Sequence, residues 1–226
     1  MKNITFNLSD MHLHGPAFFQ FLGLRKRFFV DGLGWDIPHD ERVEMDQYDN
    51  PSAYYSLVMR DGLVIGGARA MPTTAAWGPH TYMLRDAAKG MLADIPGDEM
   101  DPDLATPQIW EITRFVIEDA LCAAERSRCL TLILDGLVRI AQEHGGVELM
   151  SLSPVPMVRA LRQLGYPAKR VGQPHVDTGD GRRYAVISMP AKRLPGMIAK
   201  ERIKSLTRAP MPVQPHIHDA PLIAAE

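Results

Sequence analysis

Two apolar runs, residues 53–60 and 63–71, flank the dipeptide Asp61-Gly62. Asp-Gly readily takes the positive φ angles of a two-residue turn, so the pair predicts a β-hairpin. Arg69 then falls near the end of the second strand, and Pro72 ends it. The rest of the chain is read around this hairpin. Residues 16–30 predict a helix: Pro16 suits a first turn, Phe18, Phe21, Leu22, Arg25 and Phe29 follow the helical period, and Gly32 and Gly34 stop it. Residues 34–51 read as a long polar loop. Loops of that length inside a compact domain are usually functional or mobile. Beyond the hairpin a short helix is expected at 84–92, followed by a Pro/Gly/Asp-rich loop. Residues 108–118 predict a central strand. Its alternation puts Ile109, Glu111, Thr113 and Phe115 on one face and Trp110, Ile112, Arg114 and Val116 on the other. A long amphipathic helix is expected over 119–143, ended by Gly145-Gly146. A strand at 147–152, a short helix at 157–164 and a strand at 184–189 complete the set. This order of helices and strands predicts an α/β (α+β) fold, a three-layer α/β/α sandwich around a mixed, mostly antiparallel sheet. Residues 1–195 are expected to form a single domain. Residues 196–226, basic and then rich in Pro, His and Ala, are expected to be a partly disordered tail.

Composition narrows the function classes. The net charge of −2 gives no global basic field for nucleic acid. No apolar run reaches the roughly 20 residues of a membrane span. The first residues are not expected to act as a signal peptide, because Asp10 and His12 cut short any apolar core. Cys122 and Cys129 lie about 10 Å of helix rise apart, too far for a disulfide within one helix. Both are read as buried, reduced residues of a cytoplasmic protein. His12-x-His14 and His216-x-His218 have no metal spacing, and no metal is assigned. Residues 151–208 hold 12 Lys/Arg against 3 Asp/Glu, so the remainder is clearly acidic.

Charge also gathers in one ordered set in the first half. It runs Arg25-x-x-x-Phe29, Trp35, Glu44-x-Asp46-x-x-Asp49, Arg69, and Glu111-x-x-Arg114. Taken singly, each has a bland reading: a surface helix arginine, a solvated acidic loop, or strand-end charges paired elsewhere. Glu111 and Arg114, three apart on a strand, face opposite sides unless the strand bulges there. A folding core does not need so many charges at element ends.

In order and spacing this set resembles the acyl-homoserine-lactone synthases, the LuxI-type autoinducer synthases of bacterial quorum sensing. The resemblance spans residues 20–190 and is strongest up to Glu118, with Trp110-Glu111-x-x-Arg114-Phe115 nearly the family's own strand motif. It implies a fold similar to the GNAT acetyltransferases and a reaction joining S-adenosylmethionine (SAM) to an acyl group carried on a thioester. SAM is then a substrate, and no cofactor is implied. The donor is an acyl carrier protein or acyl-CoA. The resemblance places Arg25, Phe29, Trp35, Glu44, Asp49 and Arg69 on the SAM side, and Glu111, Arg114 and Asp46 at the reacting centre. Carboxylates suit the sulfonium and ammonium of SAM, and the Trp35 ring suits a sulfonium or adenine. Arginines of this kind pair with the acids of the loop. Glu111, with Asp46 behind it, is the candidate base. Ser151 or Ser153 is placed in the acyl pocket, between the sheet and the 119–143 helix, and the basic C-terminal half would receive an acidic carrier protein. The sequence also departs from the family. Tyr48 replaces a usual Phe, and Ala87-Ala88 follow Met83-Leu84-Arg85-Asp86 where an aromatic is usual. Residues 75–82, with Trp77, are extra and are expected to fill that space. The alternatives are an acetyl-CoA N-acetyltransferase and a non-catalytic homologue binding SAM or an acyl ligand. The former is disfavoured because Ile117-Glu118-Asp119-Ala120-Leu121-Cys122 lacks the glycines of a pyrophosphate turn.

Overall fold

The computed structural model describes residues 1–92, 95–97, 101 and 103–194. The tail expected over 196–226, with His216 and His218, lies outside them. The hairpin forms as its turn predicts: β2 (Tyr54–Arg60) and β3 (Leu63–Pro72) pair around Asp61 and Gly62, whose φ values of 51° and 81° are those of a type I′ turn. With β1 (Lys2–Asn7), β4 (Ile109–Ile117), β5 (Glu148–Pro154), β6 (Lys169–Val176) and β7 (Arg183–Pro190) they build a seven-stranded sheet in the order β1-β2-β3-β4-β5-β7-β6. Every neighbouring pair is antiparallel except β4–β5.

Helices cover both faces. α1 (Ala17–Arg25) and α2 (Met83–Ala88) lie on one, where Phe21, Leu24, Met83 and Leu84 join Tyr55, Leu57 and Met71 in a core. α3 (Ala123–Glu143) and α4 (Met157–Gln163) cover the other, around Ile133, Leu137, Trp110, Leu149 and Leu161. Gly66 and Gly67 bring both layers close. A Cβ at Gly66 would lie 2.7 Å from Cys129 Sγ on α3, and one at Gly67 would lie 2.9 Å from the Phe21 ring on α1.

Several expectations need correction. The helix read over 16–30 is α-helical only to Arg25 and continues as a π-helical turn, Lys26–Gly32. The helix expected from 119 begins at Ala123, and the one expected over 84–92 spans Met83–Ala88. The two edge strands, β1 and β6, escaped the reading. β6 is mostly exposed and carries no apolar alternation, so only its pairing with β7 defines it. Cys122 is exposed at the α3 N-cap, whereas Cys129 is buried, which pushes its thiol up to about 11.

Candidate active site

β4 and β5 run together for only three residue pairs, ending at Glu111↔Met150. Beyond that pair they part. The gap is a narrow cleft with Thr113, Arg114, Phe115, Ser151 and Ser153 in its walls and Leu134, Leu161, Ile187 and Met189 among its apolar lining. Ser151 and Ser153 share a hydrogen bond of 2.8 Å. Leu134 belongs to α3, so the cleft reaches the helix beneath the sheet.

The split coincides with a bulge in β4. Val116 pairs with Gly67 and Thr113 with Arg69, so β4 holds one residue more than β3 in that interval. Arg114 takes a φ of 53°, a left-handed conformation rare for a residue with a Cβ. The bulge reverses the strand's alternation. Phe115, expected on the face of Glu111, instead packs with the α3 core, and Val116, expected on the opposite face, joins the α1 core. Glu111 and Arg114 thereby come to the same side of the sheet, although they are three residues apart.

Arg114 meets the acidic loop there. Its Nε donates to Glu44 at 3.2 Å, and its Nη2 pairs with Asp46 at 2.8 Å. Arg25 donates to Glu44 at 2.6 Å and to both oxygens of Asp49 at 2.8 and 2.9 Å. Arg69 grips Asp46 through two bonds of 2.5 and 3.1 Å, reaches Asp49 at 2.9 Å, and donates its Nε to Thr113 Oγ1 at 3.0 Å. Three guanidinium groups thus face three carboxylates with no net charge. All six residues are buried or nearly so, and Arg25, Glu44 and Arg69 are fully enclosed. The acid spacing also shapes the loop. Asp46 Oδ1 accepts the Tyr48 N–H, Asp49 Oδ2 accepts the Asp46 N–H, and the Tyr55 hydroxyl donates to Asp49. The loop is therefore pinned rather than mobile. Each oxygen of Glu44, Asp46 and Asp49 already accepts a donor from the chain itself. Burial would push the Asp46 carboxyl up, but Arg69 and Arg114 outweigh it and hold it below the usual range.

Glu111 stands apart from this network. It is fully buried, and its two oxygens accept the N–H groups of Met83 and Leu84, each at 2.8 Å, at the start of α2. Burial raises its carboxyl to about 7, against the pull of those two donors and of Arg69. A carboxyl poised there can exchange a proton near neutrality, which Asp46 cannot.

The aromatic residues line up beside Arg114. Its guanidinium lies 5.6 Å from the Phe29 ring, and Phe29 stacks on Trp35 with centroids 4.9 Å apart. Of residues 75–82, expected to fill the space left by the absent aromatic, Trp77 is 55 % exposed, whereas Ala75 and Tyr82 are buried in the core beneath α1. Tyr48 uses the hydroxyl that a Phe would lack: it donates to buried Asp86, which also accepts from Thr81 and contacts His80. Asp180, which receives the Trp35 indole N–H, had no local signal in the sequence. Among the described residues, no group of three or more His, Cys, Asp or Glu could hold a metal ion, and no helix is long and apolar enough to cross a membrane.

Known proteins share this architecture. A family model described as autoinducer synthase matches residues 13–193. An acyl-homoserine-lactone synthase of Acinetobacter nosocomialis is 32 % identical over 164 residues, 69 % of this chain and 82 % of that protein. The crystal structure of TofI in a ternary complex with an inhibitor and MTA superposes with a TM-score of 0.65 at 26 % identity, covering 88 % of this chain and 97 % of TofI. An acyl-CoA N-acyltransferase from Pseudomonas aeruginosa shares the fold at a TM-score of 0.53 and 13 % identity, covering 83 % of this chain and 97 % of that one. The chain belongs to the autoinducer synthase family, whose curated relatives are acyl-homoserine-lactone synthases and hence acyltransferases.

Proposed function

We propose that this chain transfers an acyl group from a thioester to the amine of SAM and then closes the lactone. The observation that carries the reading is the split between β4 and β5, braced at Arg114 by the buried ion network and flanked by a carboxyl whose pKa is about 7. SAM lies against Phe29 and Trp35, beside the wall that Arg25, Glu44, Asp46, Asp49 and Arg69 hold rigid. The acids of that wall shape the pocket rather than bind the SAM cations themselves, since their oxygens are already engaged.

Glu111 takes the amine proton, directly or through a water. The neutral nitrogen attacks the thioester carbonyl carbon. From Ile112 onward β4 has left β5, and its backbone there faces the cleft and supplies donors to the tetrahedral oxyanion. The thiol leaves as the amide forms. The SAM carboxylate then displaces methylthioadenosine from the sulfonium-bearing carbon, and the ring closes. The acyl chain occupies the apolar cleft, where Ser151 or Ser153 can donate to a 3-oxo group.

The donor is an acyl carrier protein or acyl-CoA. Arg182 and Arg183 line an open hollow with Pro154, Val155 and Pro156 beside the end of β5, a suitable place for an anionic carrier. The acetyltransferase alternative is weakened further at α3. The position where such enzymes hold pyrophosphate on a helix N-terminus is capped by Glu125, whose carboxylate accepts the Cys122 N–H at 3.0 Å.

The test is mass spectrometry of bacteria expressing the chain, following the homoserine-lactone fragment ion. Lactone from the wild type and none from Glu111→Gln is the expected result. Because that substitution turns a side-chain amide toward the Met83 and Leu84 N–H groups, melting temperature and SAM binding of the variant are measured in parallel. Wild-type turnover by a folded Glu111→Gln removes Glu111 as the base. No lactone from purified wild type with SAM and a panel of thioesters rejects the synthase reading.

A further inference from the structure

Trp35 is held from the far end of the chain. Its Nε1–H donates to Asp180 Oδ2 at 3.2 Å, across 145 residues of sequence. The same Asp180 oxygen accepts the Tyr184 hydroxyl at 2.7 Å, and Oδ1 accepts the Arg182 N–H at 2.9 Å. Asp180 sits in the turn between β6 and β7. That turn is itself tied down: Asp177 Oδ1 accepts the N–H groups of Gly179 and Asp180, and Gly181 takes a φ of 68°. Burial opposes the charge on Asp180, but its Tyr184, Arg182 and Trp35 donors hold the carboxyl below the usual range, so it is an anion with every bond aimed.

These contacts form a chain that spans the split sheet. Arg114 is in one wall of the cleft; Phe29 lies beside its guanidinium, Trp35 stacks on Phe29, Asp180 receives Trp35, and Tyr184 donates to Asp180. Tyr184 pairs in register with Pro154, next to Ser153 in the opposite wall. We propose that Asp180 is a positioning residue that clasps the two sides of the cleft by fixing the plane of the Trp35 indole. It touches no reacting atom. By holding the indole flat against Phe29, it keeps the aromatic wall of the acceptor pocket in place while the β6–β7 turn closes over the end of the split. The functional half of this inference rests on the placement of SAM against Trp35.

Asp180→Ala and Asp180→Asn test it, since the Asn side-chain oxygen can still accept the indole proton. Asp180→Ala is expected to raise KM for SAM about tenfold, the scale of one lost charge-assisted hydrogen bond, with kcat reduced less than about threefold. Asp180→Asn, which keeps one acceptor oxygen but neither the charge nor the second, is expected to recover part of that loss. An unchanged KM in Asp180→Ala overturns the proposal. So does a parallel loss of KM, kcat and melting temperature that Asn does not rescue, because that marks a purely structural role. A second readout stands apart from turnover. In a Trp77→Phe background, with Trp35→Phe as the reference that assigns the signal, Trp35 emission should shift to the red in Asp180→Ala and stay in place in Asp180→Asn. An unaltered spectrum in Asp180→Ala overturns the clasp. If the wild type makes no lactone while Asp180→Ala still shifts the emission, the synthase reading is overturned and the clasp stands.

Discussion

Replacing Asp46 by Asn removes one charge from the middle of the buried network while hardly changing its volume. In the native protein three guanidinium groups balance three carboxylates; in Asp46→Asn, three cations face two anions out of water. The substitution breaks the two-bond grip of Arg69 and the contact of Arg114 at 2.8 Å, and it turns an amide N–H₂ toward donors. Breaking a buried pair by removing one partner costs about 3–5 kcal/mol, most of it from the charge left without a partner. At about 2–4 °C per kcal/mol for a domain of this size, the melting temperature should fall by about 6–20 °C. Urea unfolding followed by circular dichroism measures the loss directly, and an unchanged m-value shows that the native surface is intact. The double variant Asp46→Asn/Arg69→Met should lose less than the sum of the two single losses, because each partner suffers from the absence of the other. The loss has a pH signature as well. The Asp46 carboxyl titrates below 3.8, so its stabilisation is full above that value and is lost as pH falls through the lowered one. Wild type and variant should therefore converge in stability as the pH drops below about 4. A loss under about 1 kcal/mol at pH 7, or strict additivity with Arg69→Met, would refute the idea that these charges act as one unit.

Two further expectations concern the base and the packing. Burial raises Glu111 to about 7 from 4.5, so its neutral form favours the fold: that stabilisation is full below about 4.5 and is lost as pH rises through about 7. A base must be ionised, so kcat/KM for SAM should climb about tenfold per pH unit below 7 and level off above it, while stability measured on the same samples declines. A flat profile between pH 5.5 and 8 would contradict the assignment. Gly67→Ala should destabilise the protein by about 1–3 kcal/mol, because the added methyl meets the Phe21 ring and Leu57 where α1 lies on the sheet. Chemical denaturation reads this, and a change within about 0.3 kcal/mol would show that α1 can shift to make room.

The parts of the fold visible in the sequence are those set by neighbours along the chain. The Asp61-Gly62 turn, the period of α3 and its stop at Gly145 are local, and the structure has all three. β6 was invisible because nothing in it needs to be buried; a strand held only by its partner's backbone leaves no pattern to read. The site divides in the same way. The spacing of Glu44, Asp46 and Asp49 was plain, and the family resemblance implied arginine partners for them, but it also offered the same carboxylates to the cations of SAM. The arginine pairing is there, and it engages every oxygen of the three acids, which leaves none for a ligand. The sequence set holds four acids against three arginines, and the balance of three against three emerges only when the structure places Glu111 on the Met83 and Leu84 N–H groups, outside the cluster. Asp180 gave no signal at all, because its bond to Trp35 closes a loop of 145 residues.

The same network bears on the bulge beside the point where the two central strands separate. Past Met150 both strands still carry apolar residues, Ile112 on β4 and Leu152 on β5, yet they do not pair. Continuing would need regular backbone at Arg114. Instead the bulge, with φ at 53°, turns Arg114 to the α1 face, where Glu44 and Asp46 hold it. A left-handed arginine costs on the order of 1–3 kcal/mol, and each charge-assisted bond to a carboxylate offsets a comparable amount. The ion network therefore holds the bulge in place beside the split, because Arg114 is better satisfied out of register than in it.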